Sequence, residues 1–268
     1  MKFTPPIRRV DTAKGHYYRD AEGNRVPGVT TIISKGVPKD ALINWAGNAT
    51  ADYAVNNWDE LAKLPPAARL SKLRKARYED RDTAGARGTE VHHYAERLVR
   101  GESVDVPVEL AGHAEAYAKF LLDFDVEPVH VEFSVASYTY GYAGTGDLIA
   151  KLTVPDVGRV LALCDVKTNR SGIFGEVALQ LAGYRYADVL IEKDGDGEHP
   201  MPEVDAAYAI HVRTDGASLV PVTAEEEQHR ALLYAQQVAE FMSSANDLVG
   251  PAVRPPSLST YRLIREDS

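Results

Sequence analysis

An acidic and a basic residue stand two positions apart at the end of an apolar run. Residues 160–164 are Val, Leu, Ala, Leu and Cys, and Asp165, Val166 and Lys167 follow directly. The apolar run predicts a strand that is covered on both faces. Because side chains alternate along a strand, Asp165 and Lys167 point to the same face, about 7 Å apart along the chain. Charges at the end of a core strand are costly unless they form an ion pair or take part in chemistry.

A second carboxylate precedes this strand. Asp147 follows the glycine-rich residues 141–146, and a turn at residues 155–158 predicts a hairpin with the strand that ends in Asp165. The hairpin would bring Asp147 and Asp165 together at one end of a sheet. Carboxylate oxygens suit Mg²⁺ or Mn²⁺, which can neutralise a phosphodiester and activate a water. Lys167 could then stabilise the negative charge that develops in the reaction.

A histidine on a predicted helix is a further candidate ligand. The helix is expected to follow Gly88 and to run from Thr89 to about Arg100. His92 lies at the boundary between its apolar and polar sides, where a side chain can face a cleft. Imidazole suits Mn²⁺ better than Mg²⁺. Taken alone, a histidine in this position is more often a surface residue than a ligand.

Basic residues are concentrated between residues 69 and 87. They are Arg69, Lys72, Arg74, Lys75, Arg77, Arg81 and Arg87. Two interpretations stay open for them: a solvated helix face, or a surface that contacts phosphates and includes Arg87. The net charge of −9 argues against a protein whose whole surface binds nucleic acid. It is compatible with a local basic surface beside an acidic metal site.

The composition is that of an ordinary globular chain. With 268 residues, 44% hydrophobic and 26% charged, the chain can bury the core of one domain with added segments. No apolar run approaches the roughly 18 residues of a membrane span, and the N-terminus lacks the apolar core of a signal peptide. We therefore expect no membrane association and a cytoplasmic location. The single cysteine, Cys164, excludes an intramolecular disulfide and a four-cysteine zinc or iron–sulfur site.

The other elements are predicted from local patterns. β-Branched residues from Val26 to Ile33 predict an extended segment, and paired prolines at Pro65 and Pro66 predict a helix start. A helix is expected from about Phe174 to Lys193. The residues Thr223 to Glu226 form a capping box that would open a final helix. Strands are predicted at 129–135, 138–151, 204–212 and 218–222.

Four short motifs occur in a fixed order along the chain. They are Gly88–His92, Gly144–Asp147, Asp165–Lys167 and Gln180–Tyr184. In these motifs the chain resembles the PD-(D/E)xK nuclease superfamily, specifically its RecB-type and phage exonuclease branch. The resemblance covers roughly residues 15–240. It implies an α/β fold with a restriction-endonuclease-like core, in which a central mixed β-sheet is flanked by helices.

The resemblance also implies a role for each matching residue. His92, Asp147 and Asp165 would bind the Mg²⁺ or Mn²⁺ ion together with the Val166 carbonyl. Lys167 would be catalytic along with the two aspartates. Gln180 and Tyr184 would position DNA and Lys167, although Tyr184 could instead be a packing residue.

The chain departs from that branch at three points. Gly146 stands where the branch usually has proline, and Asp165 stands where it more often has glutamate. Members with an iron–sulfur cluster use four cysteines, so we expect no cluster in this chain. Glu96 and Glu132 are expected near the site, where either could add a carboxylate.

These features predict a metal-dependent DNA nuclease, most simply a phage-encoded exonuclease of replication, recombination or repair, located in the host cytoplasm. Expected partners are DNA and other recombination or replication proteins, and an oligomer is compatible with the sequence. The expected organisation is an N-terminal segment (1–85) packed on a nuclease core (86–247), with a tail (248–268). Three alternatives stay open: a non-catalytic nucleic-acid-binding or assembly protein on the same fold, a purely structural Asp165–Lys167 ion pair, and a sequence-specific endonuclease.

Overall fold

The computed structural model of the protein describes residues 6–12, 15–38, 40–169, 171–191 and 197–253, and of residues 40–42 and 79–84 only the backbone. Helices in this part of the chain are α1 (Val29–Gly36), α2 (Asp40–Asn56), α3 (Trp58–Ala62), α4 (Pro66–Val99), α5 (Val108–Asp123), α6 (Glu176–Arg185) and α7 (Glu226–Ser244). The strands are β1 (Arg8–Thr12), β2 (Gly15–Arg19), β3 (Arg25–Val26), β4 (Glu127–Ser137), β5 (Tyr142–Val154), β6 (Gly158–Lys167), β7 (Val189–Ile191), β8 (Glu198–Pro200), β9 (Ala206–Arg213) and β10 (Gly216–Pro221). None of the described helices has the length and apolar character that a membrane span requires.

Seven of these strands form one mixed sheet in the order β10-β9-β6-β5-β4-β7-β8. Strands β6 and β9 are parallel, and the other neighbouring strands are antiparallel. Residues of α4 and α5 pack on one face of the sheet, and residues of α1, α6 and α7 pack on the other. The predicted α/β fold with a mixed central sheet between helices is confirmed, and it is consistent with a restriction-endonuclease-like core. Strands β1, β2 and β3 form a separate small sheet.

The predicted hairpin of β5 and β6 is confirmed. The two strands are antiparallel, and Leu148 pairs with Cys164. Asp147 and Asp165 are the next residues beyond this pair on β5 and β6, so both lie at the same end of the sheet. The turn between the strands contains Asp156 with φ 63° and Gly158 with φ 101°, which closes the hairpin within a few residues.

Residues Val29–Gly36 form helix α1, so the predicted extended conformation of this segment is wrong. Val29, Ile32 and Ile33 are buried in the main core, and their spacing places them on one side of a helix. β-Branched residues favour strands only weakly, and burial against α7 and α6 decides the outcome here. Gly36 is needed at the end of α1 because a Cβ there would overlap the backbone of Ala235.

Helix α4 runs without interruption from Pro66 to Val99, so the predicted helix start after Gly88 is wrong. Glycine costs a helix about 1 kcal/mol relative to alanine. The buried residues Val91, Ala95 and Val99 on the same helix offset that cost by packing on the sheet and α5. The expected boundary at residue 85 lies inside α4.

Two further predictions need correction near the end of the chain. Helix α6 ends at Arg185, and strand β7 follows where the helix was expected to continue; residues 192–196 lie outside the described part. The capping box of α7 is formed by Glu225 and Gln228, two positions later than predicted. Of the predicted tail, residues 254–268 lie outside the described part of the chain.

Candidate active site

The Asp165 carboxylate is held by two side chains at the end of β6. Asp165 is 2% exposed, and its Oδ2 lies 2.5 Å from Nζ of Lys167. Its Oδ1 accepts a hydrogen bond of 2.6 Å from Nε2 of Gln180 on α6. Gln180 also accepts a 3.2 Å hydrogen bond from Lys167 through Oε1. Asp165, Lys167 and Gln180 therefore form a closed triangle that fixes the position of the lysine.

Tyr184 contacts this triangle from the side of the main core. Gln180 Nε2 donates a 3.1 Å hydrogen bond to the Tyr184 hydroxyl, and Tyr184 is buried in the main core. Gly144 on β5 lies against the tyrosine ring, because a Cβ at this position would overlap the ring. One of the glycines before Asp147 therefore serves the close packing of Tyr184, a residue that both packs and positions Gln180.

A second group of side chains lies on the other side of Asp147. One ligand atom each from His92, Glu132 and Asp147 lies within 4.8 Å of the other two. The His92 Nδ1 is 3.5 Å from Oδ1 of Asp147. We call these three residues the donor cluster. The structure brings His92 and Asp147 together as predicted, and Glu132, one of the two glutamates expected near the site, joins them. Asp165 is instead held in the triangle with Lys167 and Gln180.

Along β4 and β5, side chains two residues apart normally point to the same face of the sheet, but this pattern changes at the donor cluster. Val131 and Leu148 are paired and face the layer of α4 and α5. The next pair, Phe133 and Gly146, faces the opposite layer, because Phe133 belongs to the other core and a Cβ at Gly146 would meet its ring. Asp147 lies at the reversal between these pairs. The Asp147 side chain therefore contacts His92 of α4 and also the end of strand β6.

Glu132 is the residue opposite Asp147 at this reversal, and its backbone has φ 53°. A residue with a Cβ in this left-handed region costs about 1–2 kcal/mol. Such strain persists only where the surrounding structure enforces it, and it is concentrated at functional sites. The conformation of Glu132 lets Val131 and Phe133 pack on opposite layers while its own carboxylate joins the donor cluster.

The backbone of β6 also faces the donor cluster. The Val166 N–H donates a 2.7 Å hydrogen bond to Oδ2 of Asp147. The N–H and C=O of one strand residue project to the same side. The Val166 carbonyl is therefore directed toward β5 as well, which agrees with the position that the resemblance implies for it.

Burial and neighbouring charges shift the pKa values of these groups. Burial lowers the pKa of His92, but Asp147 and Asp165 raise it, and the net value is about 9. Burial raises the pKa of Asp147, while His92, Lys167 and the Val166 N–H lower it to a net value below the usual range. Burial and the charge of Asp147 raise the pKa of Asp165 to about 6, although Lys167 opposes them. The charged imidazole thus neutralises Asp147, and a cation bound at these atoms would take over that role.

An open cleft of about 420 Å³ leads from the surface to Lys167. Its walls come from α1, α4, α6 and the residues that follow β6. The described residues that line it are Thr30, Ile33, Gly85, Gly88, His92, Val166, Lys167, Thr168, Asn169, Gly172, Ile173, Phe174, Glu176, Val177 and Gln180. Arg87 is not among them, and on a helix it lies roughly 100° from Gly88, toward the flank of α4.

Two of the basic residues of α4 make contacts within their own part of the chain. Arg69 donates hydrogen bonds to the carbonyls of Leu61, Ala62 and Leu64, and so it caps the end of α3. Arg77 lies against the ring of Tyr78 and donates to its hydroxyl. Arg69 is therefore structural, while the phosphate-contacting role of Arg87 stays a prediction. The side chain of Arg81 lies outside the described part of the chain.

Sequence patterns did not indicate the cleft rim at Phe174 or the supporting contact of His211. The His211 Nε2 donates a 2.8 Å hydrogen bond to the carbonyl of Asn169. Neither residue belongs to one of the four motifs, and only the parallel pairing of β6 with β9 brings His211 to this loop.

Neither a protein-family model nor a curated protein sequence matches the chain.

Proposed function

We propose that this protein is a metal-dependent nuclease that hydrolyses phosphodiester bonds in DNA. The observation that carries the proposal is the position of the donor cluster next to Lys167, with His92 and Lys167 both lining the cleft. The cluster combines two carboxylates with one imidazole, and the triangle with Asp165 and Gln180 fixes the lysine next to it. A divalent metal can activate the attacking water, and an oriented cation can stabilise the charge that develops on the phosphate.

The donor cluster fits Mg²⁺ or Mn²⁺. Carboxylate oxygens are preferred by both ions, and the imidazole of His92 favours Mn²⁺. The Val166 carbonyl, and Asp165 after a rearrangement of its contact with Lys167, would complete the ligand set. A bound ion would neutralise the phosphodiester and lower the pKa of a coordinated water.

The protein side chains would act on the phosphate itself. Lys167 is 27% exposed at its side chain, so its Nζ can reach a bound phosphate without leaving the triangle. It would stabilise the negative charge that develops on the phosphate oxygens. Gln180 holds Lys167 and Asp165 in fixed positions, and Tyr184 anchors Gln180 in the core. No covalent intermediate with the protein is required.

The resemblance to phage and RecB-type nucleases supports DNA as the substrate and exonuclease as the mode of cleavage. Association with recombination or replication proteins, oligomer formation and a cytoplasmic location stay predictions. So does the phage origin.

The test is a time course of wild-type protein on DNA with Mg²⁺, with Mn²⁺ and with a chelator. We expect cleavage of linear DNA with either ion and none with the chelator. A closed circular DNA in the same assay separates the modes, because an exonuclease leaves it intact. Binding of DNA without metal-stimulated cleavage of any substrate would overturn the proposal in favour of a non-catalytic DNA-binding protein.

A further inference from the structure

One wall of the cleft is bare helix backbone. Gly85 and Gly88 lie one turn apart on α4, on the same side as His92, and all three line the cleft. Among the described residues, a Cβ at Gly85 would meet no atom within 4 Å, and one at Gly88 would meet only the Thr168 hydroxyl, at 3.4 Å. The wall that α4 contributes to the cleft is therefore free of side chains at these two positions, and Lys167 lines the same cleft. These glycines are not required by backbone conformation, because the helix is continuous through them.

The lining of the cleft also includes an aromatic side chain that is not buried. Phe174 is 43% exposed and lines the cleft. Its neighbour Ile173 packs against the main core, which anchors the rim. The Asn169 side chain donates to the carbonyl of Gly172, whose φ of 96° suits glycine, and His211 holds the Asn169 carbonyl. The loop is thus fastened from several sides while the Phe174 ring faces solvent.

The volume of the cleft and the charge of its described lining favour a single strand over a duplex. Its volume of about 420 Å³ is in the range of roughly 300–1,000 Å³ that single small ligands occupy. Among the described lining residues, Lys167 and His92 are the basic side chains, and Glu176 is acidic. A groove that follows a duplex backbone needs many phosphate contacts. Apolar side chains such as Ile33, Ile173 and Phe174 instead suit the face of a base.

We propose that the cleft admits a single DNA strand and that Phe174 is a stacking residue for one of its bases. The strand would pass between the bare wall of α4 and Phe174, which brings its phosphate to Lys167. Only unpaired bases offer a free face for stacking, so the substrate class is single-stranded DNA or the single-stranded end of a duplex. This inference rests on the proposed function for the phosphate contact at Lys167.

The first test measures DNA binding in the presence of a chelator, so that no cleavage occurs. Fluorescence anisotropy would compare a labelled single-stranded oligonucleotide with the same strand in a blunt duplex. Phe174→Ala should weaken single-strand binding roughly 5- to 100-fold, the effect expected for loss of one base stack. Phe174→Tyr should restore it. Tyr234→Ala is the matched control, because Tyr234 is a 62% exposed aromatic on α7 outside the cleft lining.

The second test fills the cleft from its bare wall. Gly85→Leu should reduce single-strand binding at least 10-fold, while the unfolding temperature stays at or above that of wild type because leucine is the better helix former. Gly47→Leu is the control: Gly47 is a glycine of α2 whose Cβ would also meet no atom within 4 Å. Gly47→Leu should leave binding unchanged.

The outcomes separate the inference from the proposed function. If the protein cleaves DNA but binds a blunt duplex as tightly as the single strand, and if Phe174→Ala has no effect, the single-strand inference is wrong and the nuclease proposal stands. If single-strand binding depends on Phe174 but wild type shows no metal-stimulated cleavage, the nuclease proposal is wrong and the strand-binding cleft stands.

Discussion

At the scale of single residues, the buried charge of Asp165 depends on Lys167. The carboxylate is almost entirely removed from water, and the ammonium group 2.5 Å away is its nearest opposite charge. Leaving one partner of a buried pair without the other is strongly unfavourable, whereas removing both charges is often tolerated. The pair can thus be tested for a structural and a chemical role separately.

Lys167→Met should lower the free energy of unfolding by about 1–3 kcal/mol, because Asp165 loses its neutralising charge. The loss is moderated because the Lys167 side chain is partly exposed in the wild type, where water screens the pair. The double variant Asp165→Asn with Lys167→Met should recover most of that loss. Urea unfolding of the single and double variants measures the coupling. Strictly additive losses would show that the two charges do not depend on each other.

The same variants test whether the ion pair has only a structural role. The double variant is expected to be stable and inactive, since it keeps the fold but lacks the cation that faces the phosphate. Full cleavage activity in this stable variant would establish the structural interpretation of the pair.

Glu132 combines backbone strain with a carboxylate in the donor cluster. Glu132→Gly should raise the free energy of unfolding of the metal-free protein by about 1 kcal/mol, because glycine adopts φ 53° without the steric cost. It should also weaken Mn²⁺ binding at least 10-fold, as measured by calorimetry. Asp156→Gly is the control: Asp156 has φ 63° in the β5–β6 turn, away from the cluster. A gain in stability with unchanged Mn²⁺ affinity is expected there, and equal Mn²⁺ affinity in both variants would remove Glu132 from the ligand set.

At the scale of secondary-structure elements, the packing of β5 against α6 sets the position of Lys167. Gly144 leaves room for the Tyr184 ring, Tyr184 anchors Gln180, and Gln180 contacts Lys167. A change on β5 should therefore reach the site through α6.

Gly144→Ala should destabilise the fold by about 1–3 kcal/mol, the usual cost of overpacking a core, because the added methyl group overlaps the Tyr184 ring. It should also reduce cleavage more than it reduces DNA binding, since Gln180 and Lys167 are displaced. Thermal unfolding and kinetic constants measure the two effects. Gly47→Ala on α2 is the control and should be neutral or stabilising. Unaltered kinetics in Gly144→Ala would show that the packing does not position Lys167.

Local sequence patterns were sufficient to predict part of the candidate site. The apolar run and the turn at residues 155–158 predicted the hairpin, and the hairpin brings Asp147 and Asp165 to the same end of the sheet. The i, i+4 spacing of Gln180 and Tyr184 placed both on one side of a helix, and they contact each other. These features depend on neighbours in the sequence, which is why the sequence was sufficient to predict them.

Features set by distant contacts were not predictable. Helix α1 forms because its β-branched residues are buried against α7 and α6, which overrides their strand propensity. The reversal of faces at Glu132 arises between two paired strands and leaves no local pattern. Phe174 was predicted only as the start of a helix, and its place in the cleft depends on elements that lie far apart in the chain.

At the scale of the whole molecule, a buried histidine joins the central sheet to two helices. His229 on α7 lies among the rings of Tyr140, Tyr142 and Tyr186. Tyr142 donates its hydroxyl hydrogen to the Gly183 carbonyl, so the His229 Nε2–H donates to the Tyr142 oxygen, 2.9 Å away. Burial lowers the pKa of His229, although Asp188 and Glu226 oppose the shift.

This histidine should contribute to acid sensitivity of the fold. Because its folded pKa lies below the unfolded value of about 6.5, the unfolded chain binds the proton more readily. Stability from this group is therefore present above pH 6.5 and lost as the pH falls below it. His229→Gln should show a shallower loss of unfolding free energy between pH 6.5 and pH 5, by up to about 1.4 kcal/mol per pH unit. An identical pH slope in both proteins would assign the acid sensitivity to other groups.

The central claim is that the donor cluster and Lys167 together form a metal-dependent phosphodiesterase site. The most direct measurement is cleavage of end-labelled DNA in Mn²⁺ by wild type and by Asp147→Asn, with circular dichroism to confirm that both are folded. We predict that wild type shortens the DNA, that a chelator stops it, and that the variant is at least 100-fold slower because its ligand carboxylate is gone. A folded Asp147→Asn protein that cleaves DNA at the wild-type rate would contradict the claim.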